Sequence, residues 1–249
     1  MERRRLTVDL HALVAPTLER RGVLAAFPER EGGVSRSPFD TLNLGLHTGD
    51  RPQDVRSNRR LATAALGMRG FAAAKQVHGS RIATVHGSTN GELGEADALV
   101  TRMPWTPVAV LVADCVPVVI ASERESMLTV VHAGWRGIAG GLVGKAAMLF
   151  SEPRHAAAAI GPAIGPCHYQ VGREVVEAVD RGAGTPGVVR REGPRTFLDL
   201  PSTVESVLRS VGIGDIDRAE ECTACDDARF FSHRRDGPTG RHAMVAMRM

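Results

Sequence analysis

Residues 108–137, VAVLVADCVPVVIASERESMLTVVHAGWRG, decide how this chain is read. Pro107 and Pro117 bracket a β-branched run of the kind that forms a buried strand, and Asp114 and Cys115 interrupt it towards its end. A second run, Met127 to Val131, is again strand-like and ends at His132, after which Ala133-Gly134-Trp135-Arg136-Gly137 turns toward a helix-compatible segment. Two apolar strands thus each deliver one soft polar side chain. A strand, a tight glycine turn and a helix start is also where α/β proteins commonly hold reactive groups. Burying Asp114 without partners would be costly, so the fold must supply them or set it at a cleft edge. Singly, Cys115 and His132 read as a core thiol and a hydrogen-bonded core histidine. A third residue upstream changes that reading.

That residue is His78. Lys75-Gln76-Val77-His78-Gly79-Ser80 forms a turn before a strand at Arg81 to Val85, which holds the imidazole on a rigid element facing solvent or a cleft. Further upstream, residues 22 to 28 read as a first strand leading into Arg30-Glu31-Gly32-Gly33-Val34-Ser35, a glycine loop able to approach an anion closely. Phe39 to Leu46 is a short extended piece. Helical spacing runs from Asp54, a plausible N-cap, through Leu66 to the stop at Gly67. Asp97 to Thr101 is another strand. Downstream, Gly137 to Phe150 reads as one packed helix, Ala156 to Ile160 as a buried strand, and Val171 to Asp180 as a short helix. Residues 181 to 195 look like a Gly/Arg-rich surface loop. Asp199 caps a helix that ends at Gly212, and Val245-Ala246-Met247 closes the chain as a last strand. Cys222-Thr223-Ala224-Cys225 has a Cys-x-x-Cys spacing but lacks the second pair a zinc ribbon needs, and Asp226-Asp227 disfavours a redox thiolate, so it reads as structural. Without repeats, linkers or low-complexity tracts, residues 1–249 are expected to form a single domain.

Composition narrows the function classes. At 43% hydrophobic and 24% charged residues over 249 positions, the chain has the balance of an ordinary globular protein with a full core. Its net charge of +3 is spread along the sequence, and with aromatics at 4% it offers no stacking platform, so nucleic acid is not expected as a partner. The longest apolar run, Val108 to Ala121, carries Asp114 and Pro117 and cannot span a bilayer. Nothing after Met1 to Leu6 resembles a signal-peptide core, which predicts a cytoplasmic protein, a monomer or small homo-oligomer, with no membrane partner. Four cysteines in that setting argue for thiols or metal ligands over a disulfide framework.

His78, Cys115 and His132 are the donor set that zinc prefers, and with no fourth protein ligand in view they would leave an open position. Water held there would lose its proton near neutrality. Spacing alone, 37 and 17 residues, carries little weight, because such separations fit almost any pair.

The motifs carry more. Arg30-Glu-Gly-Gly-Val-Ser35, Leu42-Asn43-Leu44, Asn58-Arg59, Lys75-Gln-Val-His78-Gly79, Ala113-Asp-Cys115-Val-Pro117, Val131-His132-Ala-Gly-Trp-Arg-Gly137, Ile160-Gly-Pro-Ala-Ile164, Tyr169-Gln-Val-Gly172, Phe230-Phe-Ser-His-Arg-Arg-Asp-Gly237 and Thr239-Gly-Arg241 jointly resemble, over nearly the whole chain, the YfiH-like family. That family was once described as multicopper polyphenol oxidases (laccases) and has since been reassigned as purine nucleoside phosphorylases. The resemblance implies an α+β fold with mixed β-sheets in the centre flanked by helices, of YfiH-like, cytotoxic-necrotizing-factor-like architecture. It implies zinc on His78, Cys115 and His132, with copper the lesser possibility. It also implies phosphorolysis of adenosine, inosine, guanosine and methylthioadenosine to base and sugar 1-phosphate, with adenosine deamination beside it. Phosphate would need a bidentate cation, and Arg30, Arg136 and Arg234 are the candidates. His233 stands where the resemblance leads one to expect tyrosine, and Cys167-His168-Tyr169 falls in a variable stretch.

Two other enzyme classes use the same residues. Cys115 could be a nucleophile with His132 as its base and Asp114 or backbone amides nearby, or the same trio could hold a hydrolytic zinc, either giving an amide hydrolase of the kind linked to editing of peptidoglycan precursors. A copper-dependent polyphenol oxidase would need several copper sites, which three ligands cannot build. A binding module without turnover is the remaining reading.

Overall fold

The structure, a computed structural model, describes residues 1–87 and 91–249. The chain opens with an antiparallel meander, β1 (Glu2–Arg5), β2 (His11–Val14) and β3 (Val23–Pro28), with a single helical turn α1 (Pro16–Glu19) between the last two. Phe39 to Leu46 is a series of turns with no strand in it. Helix α2 (Pro52–Ala65) begins two residues before the predicted cap: Arg51 is its N-cap, Pro52 opens the first turn, and Asp54 accepts from Arg51 Nε at 2.7 Å. Four short strands follow, β4 (Ala72–Lys75), β5 (Ile82–Thr84), β6 (Gly91–Glu95) and β7 (Ala98–Thr101). Of these, β4 and β6 had no counterpart in the sequence reading.

The apolar stretch 108–121 is two strands, β8 (Val108–Val112) and β9 (Val116–Ser122), and β10 (Met127–Ala133) returns antiparallel to β9. Helices α3 (Trp135–Ala139) and α4 (Leu142–Ala147) replace the one predicted helix, because Gly141 takes the left-handed conformation at φ 71° and ends the first before the second starts. Next come β11 (Ala157–Ile160), β12 (Gln170–Val171) and α5 (Arg173–Gly182). The predicted surface loop is largely a hairpin, β13 (Val188–Glu192) with β14 (Arg195–Asp199), turned at Gly193. Its arginine and glutamate content hid the strand pattern. Asp199 caps α6 (Leu200–Ser210) by accepting from the Ser202 amide, and β15 (Asp215–Arg218), the one-turn α7 (His233–Asp236) and β16 (His242–Arg248) complete the chain.

These strands form a seven-stranded sheet, β1-β2-β3-β16-β8-β4-β6, a six-stranded sheet, β15-β11-β9-β10-β7-β5, and a small sheet β12-β14-β13. Parallel and antiparallel pairs are mixed in both large sheets. The two large sheets lie face to face. Val119 and Ala121 of β9, Leu128 and Val130 of β10, Val108, Val110 and Val112 of β8 and Met244 of β16 share one core. The alternate residues of β9, Val116, Val118 and Ile120, point the other way, onto Ile138, Leu142, Val143 and the α6 residues Val204 and Val207. On the far side of the first sheet, Val245 and Met247 meet Ala62 of α2 and Leu66 at its C-cap. Both faces of the central strands are therefore covered, which is why β9 and β10 read as unbroken apolar runs without alternation. Burial of each such valine, leucine or isoleucine side chain contributes about 1.5–3 kcal/mol.

Candidate metal centre

β8 belongs to the first large sheet and β9 to the second, so the chain crosses between them at Ala113-Asp114-Cys115. Apolar pattern cannot distinguish one long strand from two short ones in different sheets, and Asp114 is where the distinction lies. Its φ of 90° is a left-handed conformation that a side chain rarely adopts. Three bonds hold it there. Oδ1 accepts from Thr223 Oγ1 at 2.6 Å, Oδ2 accepts from the Arg234 amide at 2.7 Å, and its carbonyl accepts from the Ile164 amide at 2.9 Å. The buried carboxylate thus has its partners, and the fixed turn sets Cys115 at the junction of the sheets.

His78 arrives from the first sheet. Gln76, just after β4, bonds both ways with the Leu111 backbone of β8, its amide nitrogen donating at 2.6 Å and its oxygen accepting at 2.7 Å. His132 arrives from the second sheet, near the end of β10. One carboxylate serves both histidines. Asp97, fully buried, accepts from the amides of Val77 at 3.2 Å, His78 at 2.9 Å and Gly79 at 2.7 Å. It also accepts from His132 Nδ1 at 2.9 Å, while its carbonyl accepts from the His132 amide at 2.8 Å. The grip on residues 77–79 stabilises the left-handed backbone of His78, φ 58°. Burial works to raise the Asp97 carboxyl, but the His132 and backbone bonds outweigh it and hold the group below the ordinary carboxylate range.

His78, Cys115 and His132 come together: one donor atom from each lies within 4.8 Å of the others, with Cys115 Sγ 3.8 Å from His78 Nε2. Tetrahedral zinc, with its usual bond lengths, sets sulfur and nitrogen about 3.6 Å apart. Asp97 occupies Nδ1 of His132 and so leaves Nε2 to face the group, the arrangement by which an outer carboxylate orients a metal-binding imidazole. Gly134 is required by close approach, since a Cβ there would lie 3.0 Å from His78 Cδ2 and 3.1 Å from Cys115 Sγ. Without a metal, burial alone would raise Cys115, yet the charge and hydrogen bond of His132 and the bond to His78 bring it down to about 6. His132 is opposed by burial but lifted by Cys115 and Asp97 to about 9. The metal-free group is therefore a thiolate–imidazolium pair, already carrying the deprotonated sulfur a cation needs.

The group opens on a pocket of about 570 Å³. Trp135, Arg136, Tyr169, Arg234 and Arg241 line it together with the three donors. The Arg136 guanidinium lies over Trp135 at 4.4 Å, and that of Arg234 over Tyr169 at 4.8 Å, with Arg234 Nη1 donating to the Gln170 carbonyl at 3.0 Å. Burial, then the thiolate of Cys115, pushes the Tyr169 phenol up to about 12, so it remains a donor at neutral pH. Arg30 is not among the lining residues. It donates to the carbonyls of Asp40 at 2.9 Å and Asp227 at 2.8 Å and stacks on Phe231 at 4.7 Å, which makes it a brace between loops. A second depression, about 780 Å³, lies beside Leu10, Val34 and Leu61 and holds none of these groups.

Sequence reasoning missed Asp97, Tyr169 and Arg241. Asp97 carried a usable signal, an aspartate set between alanines at the head of an apolar strand, the same anomaly that drew attention to Asp114. The third group beside Cys115 and His132 is accordingly Asp97, whereas Asp114 is committed to Thr223 and Arg234. Two motifs are structural: Asn58 donates to Ser35 Oγ at 2.8 Å and to the carbonyls of Thr41 and Asn43 at 3.0 Å, tying the glycine loop to α2.

Residues 24–249 match a family profile described as multi-copper polyphenol oxidoreductase laccase. A purine nucleoside phosphorylase of Mycobacterium tuberculosis is 39% identical over 231 residues, covering 87% of this chain and 88% of that protein. The purine nucleoside phosphorylase YfiH of Escherichia coli is 36% identical over 228 residues, covering 90% and 93%. The crystal structure of YlmD from Geobacillus stearothermophilus superimposes with a TM-score of 0.88 at 35% identity, over 94% of each chain.

Proposed function

The chain belongs to the multi-copper polyphenol oxidoreductase laccase family, and because its relatives there are named purine nucleoside phosphorylases we propose that it phosphorolyses purine nucleosides in the cytoplasm. The observation that carries this reading is the convergence of Arg136, Arg234 and Arg241 with the His78, Cys115 and His132 group in one pocket of about 570 Å³, a volume suited to a small ligand. A phosphate oxygen bonds C1′ of the sugar as the bond from C1′ to N9 breaks, and the electron pair leaves with the base, which takes up a proton. The products are free base and sugar 1-phosphate. Arg136 and Arg234, exposed at the pocket, supply permanent bidentate charge for the phosphate, and the half-buried Arg241 adds to the field. The Trp135–Arg136 stack offers a flat face to the purine, and the Tyr169 phenol, protonated at neutral pH, donates to it or to the sugar. Adenosine, inosine, guanosine and methylthioadenosine are the substrate class.

We assign zinc to His78 Nε2, Cys115 Sγ and His132 Nε2 on the strength of the donor set and spacing. When bound it supplies Lewis acidity beside the purine, the chemistry that a deaminase side activity on adenosine requires. A copper oxidase is less well supported: among the described residues, the two groups able to hold a metal contain three histidines between them, too few for a histidine-rich copper cluster. The test is adenosine turnover followed by chromatography with and without phosphate, on protein whose zinc content has been measured. Adenine and ribose 1-phosphate formed only with phosphate are expected. Zinc-loaded protein that leaves nucleosides untouched would transfer the site to another substrate.

One observation favours a second reading. Asp97, His132 and Cys115 form a carboxylate–imidazole–thiolate relay, which in metal-free protein is the arrangement of a cysteine hydrolase acting on amides, such as peptidoglycan precursors. Amide hydrolysis that survives complete removal of zinc would support it.

A further inference from the structure

The sequence leaves Cys222-x-x-Cys225 without a second pair of ligands; the fold supplies one. A parallel bridge between Ala163 and Cys222 sets the loop after β11 against the turn after β15, and the Thr223 amide donates to the Ala163 carbonyl at 3.0 Å. Cys167 and His168 are thereby carried to Cys222 and Cys225, 54 to 58 residues away. One donor atom from each of the four lies within 4.8 Å of the others.

We propose that Cys167 Sγ, His168 Nδ1, Cys222 Sγ and Cys225 Sγ bind a second zinc ion, structural in role, independent of the group at the pocket. The spacings are those of a tetrahedron. Zinc with three sulfurs and one nitrogen sets sulfurs about 3.8 Å apart and sulfur to nitrogen about 3.6 Å apart. Cys167 and Cys225 are 3.5 Å apart, and His168 Nδ1 lies 3.4 Å from Cys167, 3.4 Å from Cys225 and 3.9 Å from Cys222. The Gly165 amide donates to Cys222 Sγ at 3.2 Å, the outer bond that commonly stabilises a metal-bound thiolate. Partial burial, with Cys222 and Cys225 beside it, pushes the Cys167 thiol up to about 12. Four protein donors fill the coordination shell, so this ion holds structure and has no open position for substrate.

What it holds is the pocket wall. Thr223, between the two cysteines, is the residue that donates to Asp114, and the carbonyls of His168 and Gln170 accept from Arg234. Tyr169 follows His168 directly.

Metal analysis of the purified full-length protein tests the proposal. Two zinc ions per chain are expected, falling to one in Cys225→Ser and, separately, to one in Cys115→Ala. One zinc in the unaltered protein that Cys225→Ser leaves in place would overturn it, as would a loss of two hydrogens in mass marking a bond between Cys167 and Cys225. Should Cys225→Ser fail to fold, alkylation of the unaltered protein decides. Cys167, Cys222 and Cys225 should resist iodoacetamide until a chelator is added, and labelling that a chelator does not change would sink the idea. Because the two sites are counted separately, an empty four-donor site leaves the pocket reading standing, and the converse holds.

Discussion

Two groups of sulfur and imidazole donors lie among the described residues of this molecule, and they differ in how they are built. His78, Cys115 and His132 come from three places at the junction of two sheets, their two histidines held by one buried carboxylate, and stop at three donors facing a pocket. Cys167, His168, Cys222 and Cys225 come from two loops joined by a single backbone bridge, and their four donors leave no vacancy. Donor chemistry is nearly the same in both. The lesson is that what surrounds a cluster, an orienting carboxylate and an open side against a closed shell, separates a site that can act from one that can only hold.

The sharpest way to break the contrast is at Asp97. Asp97→Ala leaves a buried imidazole and three partly buried amides without their acceptor and should cost about 3–5 kcal/mol of stability in denaturant titrations. It should empty the three-donor group while the four-donor group keeps its metal; loss of both metals would show the two are not independent. Asp97→Asn should be milder, weakening metal binding at the pocket roughly 10–100-fold.

Thiol reactivity comes next. In chelated protein Cys115 lies down at about 6 and Cys167 up at about 12, so brief alkylation at pH 7 should label the half-buried Cys115 before the exposed Cys167. Exposure alone predicts the reverse order, and peptide mass mapping distinguishes them. The same pair fixes a stability profile. Cys115 is depressed from 9.0, so its contribution is complete above that value and lost as pH falls through about 6. His132 is raised from 6.5, so its contribution is complete below that value and lost as pH rises through about 9. Between pH 6.5 and 9 the slopes oppose, and metal-free stability should stay level; a steady climb over that range would mean the two do not titrate as a pair.

The arginines give smaller effects. Arg234→Ala should lower kcat/KM for phosphate roughly 10²-fold, because its guanidinium lines the pocket. Arg30→Ala should leave KM for phosphate unchanged and cost about 1 kcal/mol of stability. A phosphate defect in Arg30→Ala would return that residue to the substrate and undo its reading as a brace.

Much of the fold was legible because buried apolar runs announce strands: β3, β7, β10 and β11 lie where their valines and alanines put them, whereas Pro117, read as the end of a strand, lies inside β9. Strands with little side-chain signal were not legible. β6 reads Gly-Glu-Leu-Gly-Glu, and β13 is mostly charged, so neither shows a period. The chain partition at Asp114 was hidden for a different reason, since hydrophobicity records that a strand is buried and not which sheet buries it. At the pocket, Cys115 and His132 stood out as polar ends of apolar runs, whereas Asp97 was passed over as a strand residue. The four-donor cluster was unreadable because its halves, more than 50 residues apart, are brought together by tertiary pairing, β11 with β15 and the Ala163–Cys222 bridge, that no local pattern records.

The crossing from one large sheet to the other at Cys115 has a mechanical consequence. His78 follows a strand of the first sheet and His132 lies near the end of a strand of the second, with Asp97 tying the two, so the geometry of the donors depends on how the layers pack through Val119, Leu128 and Met244. The group then works as a strain gauge for the core. A cavity cut far from the pocket, such as Leu128→Ala, would register as a change in metal affinity, and bound metal would in turn clamp the two layers at one spacing.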